Sequence, residues 1–352
     1  MIRMLLSGSI YCLRLLVSLV LIPFEIIYGC IVVLRPKKAR ERVNTAAVIS
    51  IGNITTGGTG KTPHTIMLAH QLKKQYRTAI ISRGYRGNYT EDARIVSDGK
   101  NITATAEEVG DEPVMMARTA GVPIIVGRKR IHAAQCAQKT FQSQVLLLDD
   151  GFQHTRLYRD VNIALVDAMN PFGNGCLLPR GILREPLRAL SRADAIIITK
   201  SNLVSDEELC MVSDTCRQFN APLYYSELHS THITYGKKRI ARSAIKNSAV
   251  LLLSSIGNPL SFRRIFMKEC YTGMTLTEMT FPDHYHFSLR DSEAITAAAA
   301  GKIIITTAKD AERLAPFALP LYVLHITVVL PSIHDLMRRL HRACKIKIIN
   351  GS

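Results

Sequence analysis

Beyond residue 45 the chain alternates short, almost uniformly aliphatic runs with longer polar stretches that suit helices. Ala46–Ile51, Thr78–Ser82, Val122–Val126, Val145–Leu148, Ile163–Val166 and Ala195–Thr199 are the aliphatic runs. Each is too short for a helix and too uniformly apolar to have one wet face, which predicts strands buried on both sides in a parallel sheet. Lys61–Gln75, Glu112–Ala120 and Arg130–Phe141 predict helices between them. Strand and helix alternating in this way imply a doubly wound α/β domain over residues 46–229. Residues 230–246 interrupt the pattern with a basic, polar stretch that predicts a hairpin or connector. It then resumes in Ala249–Ser254, Lys302–Thr306 and Leu321–Leu324, strands of a second, smaller α/β domain over 247–352. A helix carrying Arg338, Arg339, Arg342 and Lys345 closes that domain.

Residues 1–45 differ in kind. Between Met4 and Leu34 only Arg14 and Glu25 are charged. Leu15–Phe24 and Ile26–Leu34 are each too short to cross a bilayer, which takes about 20 apolar residues. Joined, they place Pro23 and Glu25 near the middle, where a carboxylate costs about 3 kcal/mol. A helix lying in the interface therefore competes with one that spans. Residues 35–42 follow with five basic side chains and one acid, a flank that suits an anionic cytoplasmic leaflet and opposes export. The segment is expected to be a membrane-associated helix with a basic flank.

Composition narrows the classes. At 352 residues the chain has room for two domains, and 47% hydrophobic with 21% charged residues excludes a disordered chain. Eight cysteines are scattered without a C-x-x-C pair, which argues against a zinc ribbon or a thioredoxin-type site and for a reducing compartment. A net charge of +17 predicts polyanionic company: nucleic acid, anionic lipid or a phosphorylated substrate. With no Trp and no basic–aromatic motif, nucleic acid is not the expected partner.

The densest chemistry follows the first strand, in Ile51-Gly-Asn-Ile-Thr-Thr-Gly-Gly-Thr-Gly-Lys-Thr62. Against G-x-x-x-x-G-K-[ST], Gly60, Lys61 and Thr62 match, while Thr55 stands where the first glycine belongs. Gly57, Gly58 and Gly60, interleaved with Thr56 and Thr59, let backbone N–H groups converge on phosphate oxygens at a helix N-terminus. In such a loop Lys61 reaches the β- and γ-phosphates and the Thr62 hydroxyl ligates Mg²⁺. A phosphate loop also needs a metal-organising acid at the end of another strand. Asp149 and Asp150 supply two, directly after Val145–Leu148. The competing role for such an acid is to cap the next helix.

Other candidates are less decided. Asp111 and Glu112, before Pro113, are a general base or metal ligand on one reading and favourable charge at a helix start on another. Phe281-Pro-Asp-His-Tyr-His-Phe287 sets a carboxylate beside two histidines, which allows acid–base pairing or metal binding. Arg83, Arg86, Arg128, Arg130, Arg180 and Arg184 cluster near strand ends, where guanidinium groups suit phosphate, although isolated arginines are mostly solvated. Thr199-Lys200 and Lys309-Asp310 each follow a strand and could line a nucleotide base.

Taken in order, the apolar N-terminal helix, G-N-I-T-T-G-G-T-G-K-T-P (52–63), S-R-G-Y (82–85), V-G-D-E-P (109–113), L-D-D-G-F-Q-H (148–154), L-P-R-G-I-L-R-E-P (178–186) and P-D-H (282–284) resemble the tetraacyldisaccharide 4'-kinase (lipid A 4'-kinase) family. The resemblance runs as far as Thr306-Thr-Ala-Lys-Asp310. It implies a P-loop NTPase-like fold and transfer of the ATP γ-phosphate, with Mg²⁺, to the 4'-hydroxyl of a tetraacylated glucosamine disaccharide 1-phosphate. It further implies work at the cytoplasmic face of the bacterial inner membrane, with attachment by the N-terminal helix; no obligate protein partner is inferred. By the family's motifs Asp111 is the catalytic carboxylate and His284 its partner, with His286 as a rival. Thr62 with acids from Asp149, Asp150, Glu112 and Glu185 organises Mg²⁺, and Arg83, Arg128 and Arg184 contact phosphate or substrate. The alternative is a membrane-associated P-loop NTPase switch without a small-molecule acceptor, although Thr199-Lys200 lacks an N-K-x-D guanine signature.

Overall fold

The computed structural model describes residues 17–34, 40–43, 46–85, 87–271, 273, 275–283 and 285–350; Arg86 and His284 fall outside them. A helical turn at residues 17–20 leads into helix α1 (Ile22–Val33). There follow β1 (Ala47–Asn53), α2 (Lys61–Leu72), β2 (Thr78–Ser82), β3 (Arg94–Asp98), α3 (Ala106–Val109), α4 (Asp111–Thr119), β4 (Pro123–Val126), α5 (Arg130–Phe141), β5 (Val145–Asp149), β6 (Val161–Asp167) and β7 (Ala195–Thr199). Next come α6 (Asp206–Arg217), β8 (Leu223–Tyr235), β9 (Lys238–Ile240), β10 (Ala249–Ser254), α7 (Pro259–Glu269), β11 (Thr275–Thr280), α8 (Leu289–Ala298), β12 (Ile303–Thr307), α9 (Ala308–Leu314), β13 (Leu321–Val329) and α10 (Ile333–Asn350).

The chain forms two compact units. The first takes the chain up to Ile198, then Cys210–Tyr224, then Ser332 onward; the second takes Thr199–Leu209 and Tyr225–Pro331. This division differs from the boundaries that the sequence pattern suggests, chiefly at α10. That helix buries Leu336, Leu340 and Cys344 and packs against β1, so its apolar stripe completes the first unit instead of the second.

In the first unit the strands lie in the order β3-β4-β2-β5-β1-β6-β7. β4, β2, β5, β1 and β6 are parallel, and β3 joins antiparallel at the edge. Every residue of β1, β2, β5 and β6 is buried, as strands covered on both faces require. On one face Ala133, Ala134 and Ala137 of α5 let the helix settle closely on Val48, Ala79, Leu146 and Leu148. Helix α2 packs on β1, β2 and β5. Because β1 lies between β5 and β6, their carboxyl ends open a crevice at a switch in connection direction, where α/β sheets bind ligands.

The second unit orders its strands β11-β10-β12-β13-β8. The first four are parallel; β8 is antiparallel to β13 and turns back into β9. The basic stretch after residue 229 is thus a hairpin, with Ile233 facing Ile240. Leu251, Leu253, Ile295, Ile304 and Leu314 form its core. Among the described residues, no helix is long and apolar enough to cross a membrane.

Candidate active site

The phosphate loop lies between β1 and α2, and buried Asn53 at the strand end organises it. Its side-chain amide donates to Thr59 Oγ1 at 2.9 Å and Thr55 Oγ1 at 3.3 Å, drawing the threonines inward and leaving the glycine backbone outside. The Gly60 carbonyl meets His64 Nδ1 at 2.7 Å, one turn into α2. Around Gly57 there is open space within 4 Å of where a side chain would begin. Thr55 and Thr59 therefore pack as structure, while Thr56, Gly57 and Gly58 form the exposed rim.

Parallel register places Ile51 opposite Asp149, so the loop and the two acids leave adjacent strands side by side. The turn after Asp149 presses against β1. A Cβ on Gly52 would stand 2.7 Å from both the backbone nitrogen and the Cβ of Phe152, a clash with main chain that only glycine avoids. Gln153 fastens the same turn, donating to the Asn53 carbonyl at 2.6 Å.

The two acids meet opposite environments. Asp149 is 2% exposed and accepts from Thr65 Oγ1 at 2.8 Å and, more loosely, from Thr62 Oγ1 at 3.5 Å. Burial, reinforced by the negative charge of Glu112, raises its pKa to about 7. Asp150 adopts a left-handed backbone, φ 50°, which turns its carboxylate back over the loop. Its Oδ1 lies 3.9 Å from Lys61 Nζ and 3.0 Å from the Arg184 guanidinium. Burial works to raise its pKa, but Lys61 and Arg184 more than offset this and hold it below the ordinary value. Arg130, 4% exposed, donates to the Gly127 carbonyl at 2.9 Å. Burial lowers its pKa to about 10, against the pull of Asp149 and Asp150.

Asp111 and Glu112 open α4, both exposed. They follow Gly110, whose φ of 89° and close approach to the Tyr85 carbonyl oxygen leave no room for any side chain there. The S-R-G-Y segment is thereby packed on V-G-D-E-P, and Tyr89 tightens the join by donating its hydroxyl to the Arg83 carbonyl at 2.6 Å. Arg83 and Arg128 are exposed, and Arg128 lies over the Tyr89 ring at 5.7 Å. Glu185 is engaged differently from the other acids: it is nearly buried and ion-paired with Arg192 at 2.6 Å.

Segment 176–184 walls the loop on another side. Thr56 donates its N–H to the Ile182 carbonyl at 2.8 Å, and Arg184 donates its N–H to the Ile54 carbonyl at 2.7 Å. Helix α1 docks on this segment. Glu25 accepts the Leu177 N–H at 2.8 Å and Arg180 at 3.1 Å. Burial works to raise the Glu25 pKa, but these two donors overcome it and hold the carboxyl below its usual range. A carboxylate that looked costly inside an apolar helix thus has dedicated partners.

In the second unit Asp283 pairs with Lys309 at 3.4 Å, and His286 is exposed. Phe281, Tyr285 and Phe287 pack together, Phe287 meeting the other two rings edge-on. Asp310 is fully buried, accepting from the Ser255 N–H at 2.9 Å and the Thr307 hydroxyl at 2.9 Å, which makes it a brace between strand ends and not a base-binding group. Among the described residues, no group of three His, Cys, Asp or Glu could hold a metal ion by itself.

The first unit's groups fit a nucleotide with Mg²⁺. Thr62, Asp149 and Asp150 would offer hard, all-oxygen donors to such a cation, with Thr62 Oγ1 standing 3.5 Å from the Asp149 carboxylate. A cation would also relieve the elevated Asp149. Asn53, Thr65 and Gln153 were not anticipated; of these only Thr65 carries a local signal, being three residues from Thr62 on one helical face.

The family model for Tetraacyldisaccharide-1-P 4'-kinase, LpxK, matches residues 17–345. The chain is similar to the tetraacyldisaccharide 4'-kinase of Halothermothrix orenii, 38% identical over 323 residues covering 84% of each chain. It is also similar to that of Desulfatibacillum aliphaticivorans, 36% identical over 321 residues covering 86% of each. The structure of LpxK from Aquifex aeolicus in complex with ATP superposes with a TM-score of 0.71 at 28% identity, covering 93% of this chain and 99% of that one. With a match that spans nearly its whole length, the chain belongs to the tetraacyldisaccharide-1-P 4'-kinase family.

Proposed function

We propose that the chain transfers the γ-phosphate of ATP to the 4'-hydroxyl of a tetraacylated glucosamine disaccharide 1-phosphate, as a membrane-attached step in making lipid A. The observation that carries this reading is the meeting of the phosphate loop with Asp149 and Asp150 at adjoining strand ends, in a chain of this family. Phosphoryl transfer asks mainly for positioning and charge stabilisation, which is what these groups offer. The loop from Thr55 to Thr62, held to its wall by the Thr56 N–H on the Ile182 carbonyl, receives the phosphates, and Lys61 brings positive charge to them. Thr62 with one or two of Asp149, Asp150 and Glu112 would hold Mg²⁺, which when bound neutralises charge on the phosphates. Glu185, already neutralised by Arg192, supports the wall instead. Arg184, Arg83 and Arg128 bring further charge to phosphate or substrate. Asp111 accepts the proton of the 4'-hydroxyl.

The test is transfer of labelled γ-phosphate to the lipid disaccharide in detergent micelles. A bisphosphorylated lipid is expected from the parent, and about 100-fold less or lower from Asp111→Asn with ATP binding retained. ATP hydrolysis without a lipid product would favour the switch reading. Near-parental turnover by Asp111→Asn would take that residue out of the proton transfer.

Attachment rests on α1. Val20, Phe24, Ile27, Ile31 and Leu34 are each more than half exposed and recur at helical spacing, and Leu19, Ile26 and Val33 widen this exposed apolar surface. None of the residues of α1 is buried. Ser18, Glu25 and Gly29 occupy the opposite side and face the 176–184 segment. This division suits a helix lying in the interface with its apolar stripe toward lipid. Phe24→Asp combined with Ile27→Asp is expected to release the protein from sedimenting vesicles while leaving turnover in micelles intact. Full sedimentation of that variant would place the attachment elsewhere.

A further inference from the structure

A helix that served only as a lipid anchor would gain from an apolar residue at position 25. Here the carboxylate is 17% exposed and held by two donors from one short segment, the Leu177 N–H and the Arg180 guanidinium. Arg180 is gripped again by Ser18, whose Oγ accepts from Nε at 3.0 Å. Tyr28 reaches further along the same segment and donates its hydroxyl to the Arg184 carbonyl at 3.0 Å.

The segment is itself stiff. Leu178 N–H bonds to the Leu183 carbonyl at 2.9 Å, Gly181 N–H to Leu177 at 2.8 Å, and Asn174 donates to the Arg180 carbonyl at 3.0 Å. Its far end pairs with the phosphate loop through Thr55 opposite Leu183 and the two backbone bonds at Thr56 and Arg184. Arg184 then turns its guanidinium onto Asp150, 3.0 and 3.3 Å from the two carboxylate oxygens, and toward Asn53 Oδ1 at 3.4 Å. From α1 to the charged groups around the phosphate loop there is one short, hydrogen-bonded path within the first unit.

We infer that Glu25 and Tyr28 are positioning residues for phosphoryl transfer: helix α1 seats the 176–184 segment, which sets the place of Arg184 and of the loop wall at residues 54–56. This rests on the site reading above and extends it, giving the N-terminal helix a part in turnover besides attachment. Displacing a charged group by about 1 Å costs up to about 100-fold in rate.

The experiment compares full-length parent, Glu25→Ala, Glu25→Gln and Tyr28→Phe for steady-state transfer to the lipid in micelles, for sedimentation with vesicles and for thermal melting. Glu25→Ala is expected to lower kcat about 10- to 100-fold with little change in the KM for lipid. Glu25→Gln, which still accepts the Leu177 N–H, is expected to recover part of that loss. Vesicle sedimentation should stay at the parental level in all three, because the apolar stripe is untouched. This profile is opposite to that of the Phe24→Asp, Ile27→Asp protein. Parental kcat in Glu25→Ala, or loss of sedimentation with micellar kcat preserved, would reduce α1 to an anchor and overturn the inference. If Glu25→Ala fails to fold, Tyr28→Phe decides: reduced kcat at an unchanged melting point supports positioning, and parental kcat refutes it. Absence of lipid product from the parent would instead bring down the site reading itself.

Discussion

An Asp149→Asn protein is expected to melt higher than its parent at pH 8 and to transfer almost no phosphate. In the parent this carboxyl lies buried at the end of β5, and burial with the nearby Glu112 charge lifts its pKa to about 7. At pH 8 the nucleotide-free protein therefore keeps a buried carboxylate that is unfavourable relative to the unfolded chain. Asn carries no charge and can still accept the Thr65 hydroxyl. The gain at pH 8 is about 2–4 kcal/mol, enough to raise the melting point by several degrees. Its pH dependence has a definite sign. The folded parent binds more protons than the unfolded chain between about pH 4 and pH 7, so its own stability rises as pH falls through that window. The advantage of Asn is thus complete above pH 7, shrinks toward pH 4 and vanishes below it. Melting curves of both proteins without nucleotide across this range test the claim, and an Asn protein that melts no higher at pH 8 would refute it. Transfer should fall by at least about 100-fold, because the strand-end charge that would organise Mg²⁺ is gone.

Lys61→Ala is expected to lose turnover just as heavily but with little change in stability. Its ammonium stands at the start of α2, 3.9 Å from Asp150. Removing it leaves Asp150 still bonded to Arg184, so the carboxylate is not stranded. The melting point without nucleotide should then shift by no more than the equivalent of about 1 kcal/mol. Turnover should fall about 1,000-fold, since a fixed positive charge at the transferring phosphate acts mainly in the transition state. Steady-state phosphate transfer and a melting curve on the same preparation measure both quantities. Turnover within tenfold of the parent would show that Lys61 is a partner of Asp150 and little more.

The phosphate loop and the strand-end acids were legible because each occupies a short contiguous window. A buried aliphatic run, a glycine-rich turn and a lysine-threonine pair carry their meaning locally, and so does Val145–Leu148 followed by two acids. Strands on the sheet margins were not legible. β3 and β11 are half-exposed, with polar residues between the apolar ones, so neither reads as a buried run. β8 hides for a similar reason: Ser226, Ser230 and Ile233 point inward among polar neighbours, and its first part runs into what looked like a connector. The role of Glu25 was hidden most deeply. Its partner Arg180 lies 155 residues away, and no property of either neighbourhood announces the other. Asn53 and Gln153 are similar cases, ordinary amides whose importance comes from where the fold places them.

The return of α10 to β1 has a consequence for how the molecule is made. The central strand of the first unit lies near the start of the chain, yet the helix that covers it emerges only after the whole of Tyr225–Pro331. During synthesis from the N-terminus, β1 and its neighbours must wait with part of one face uncovered, whereas Tyr225–Pro331 becomes available as one uninterrupted stretch. Contacts between residues so far apart are slow to close. The nucleotide-binding half, first to be translated, is in this architecture the last to be finished, and its exposed sheet face is the surface for a chaperone to shield in the interval.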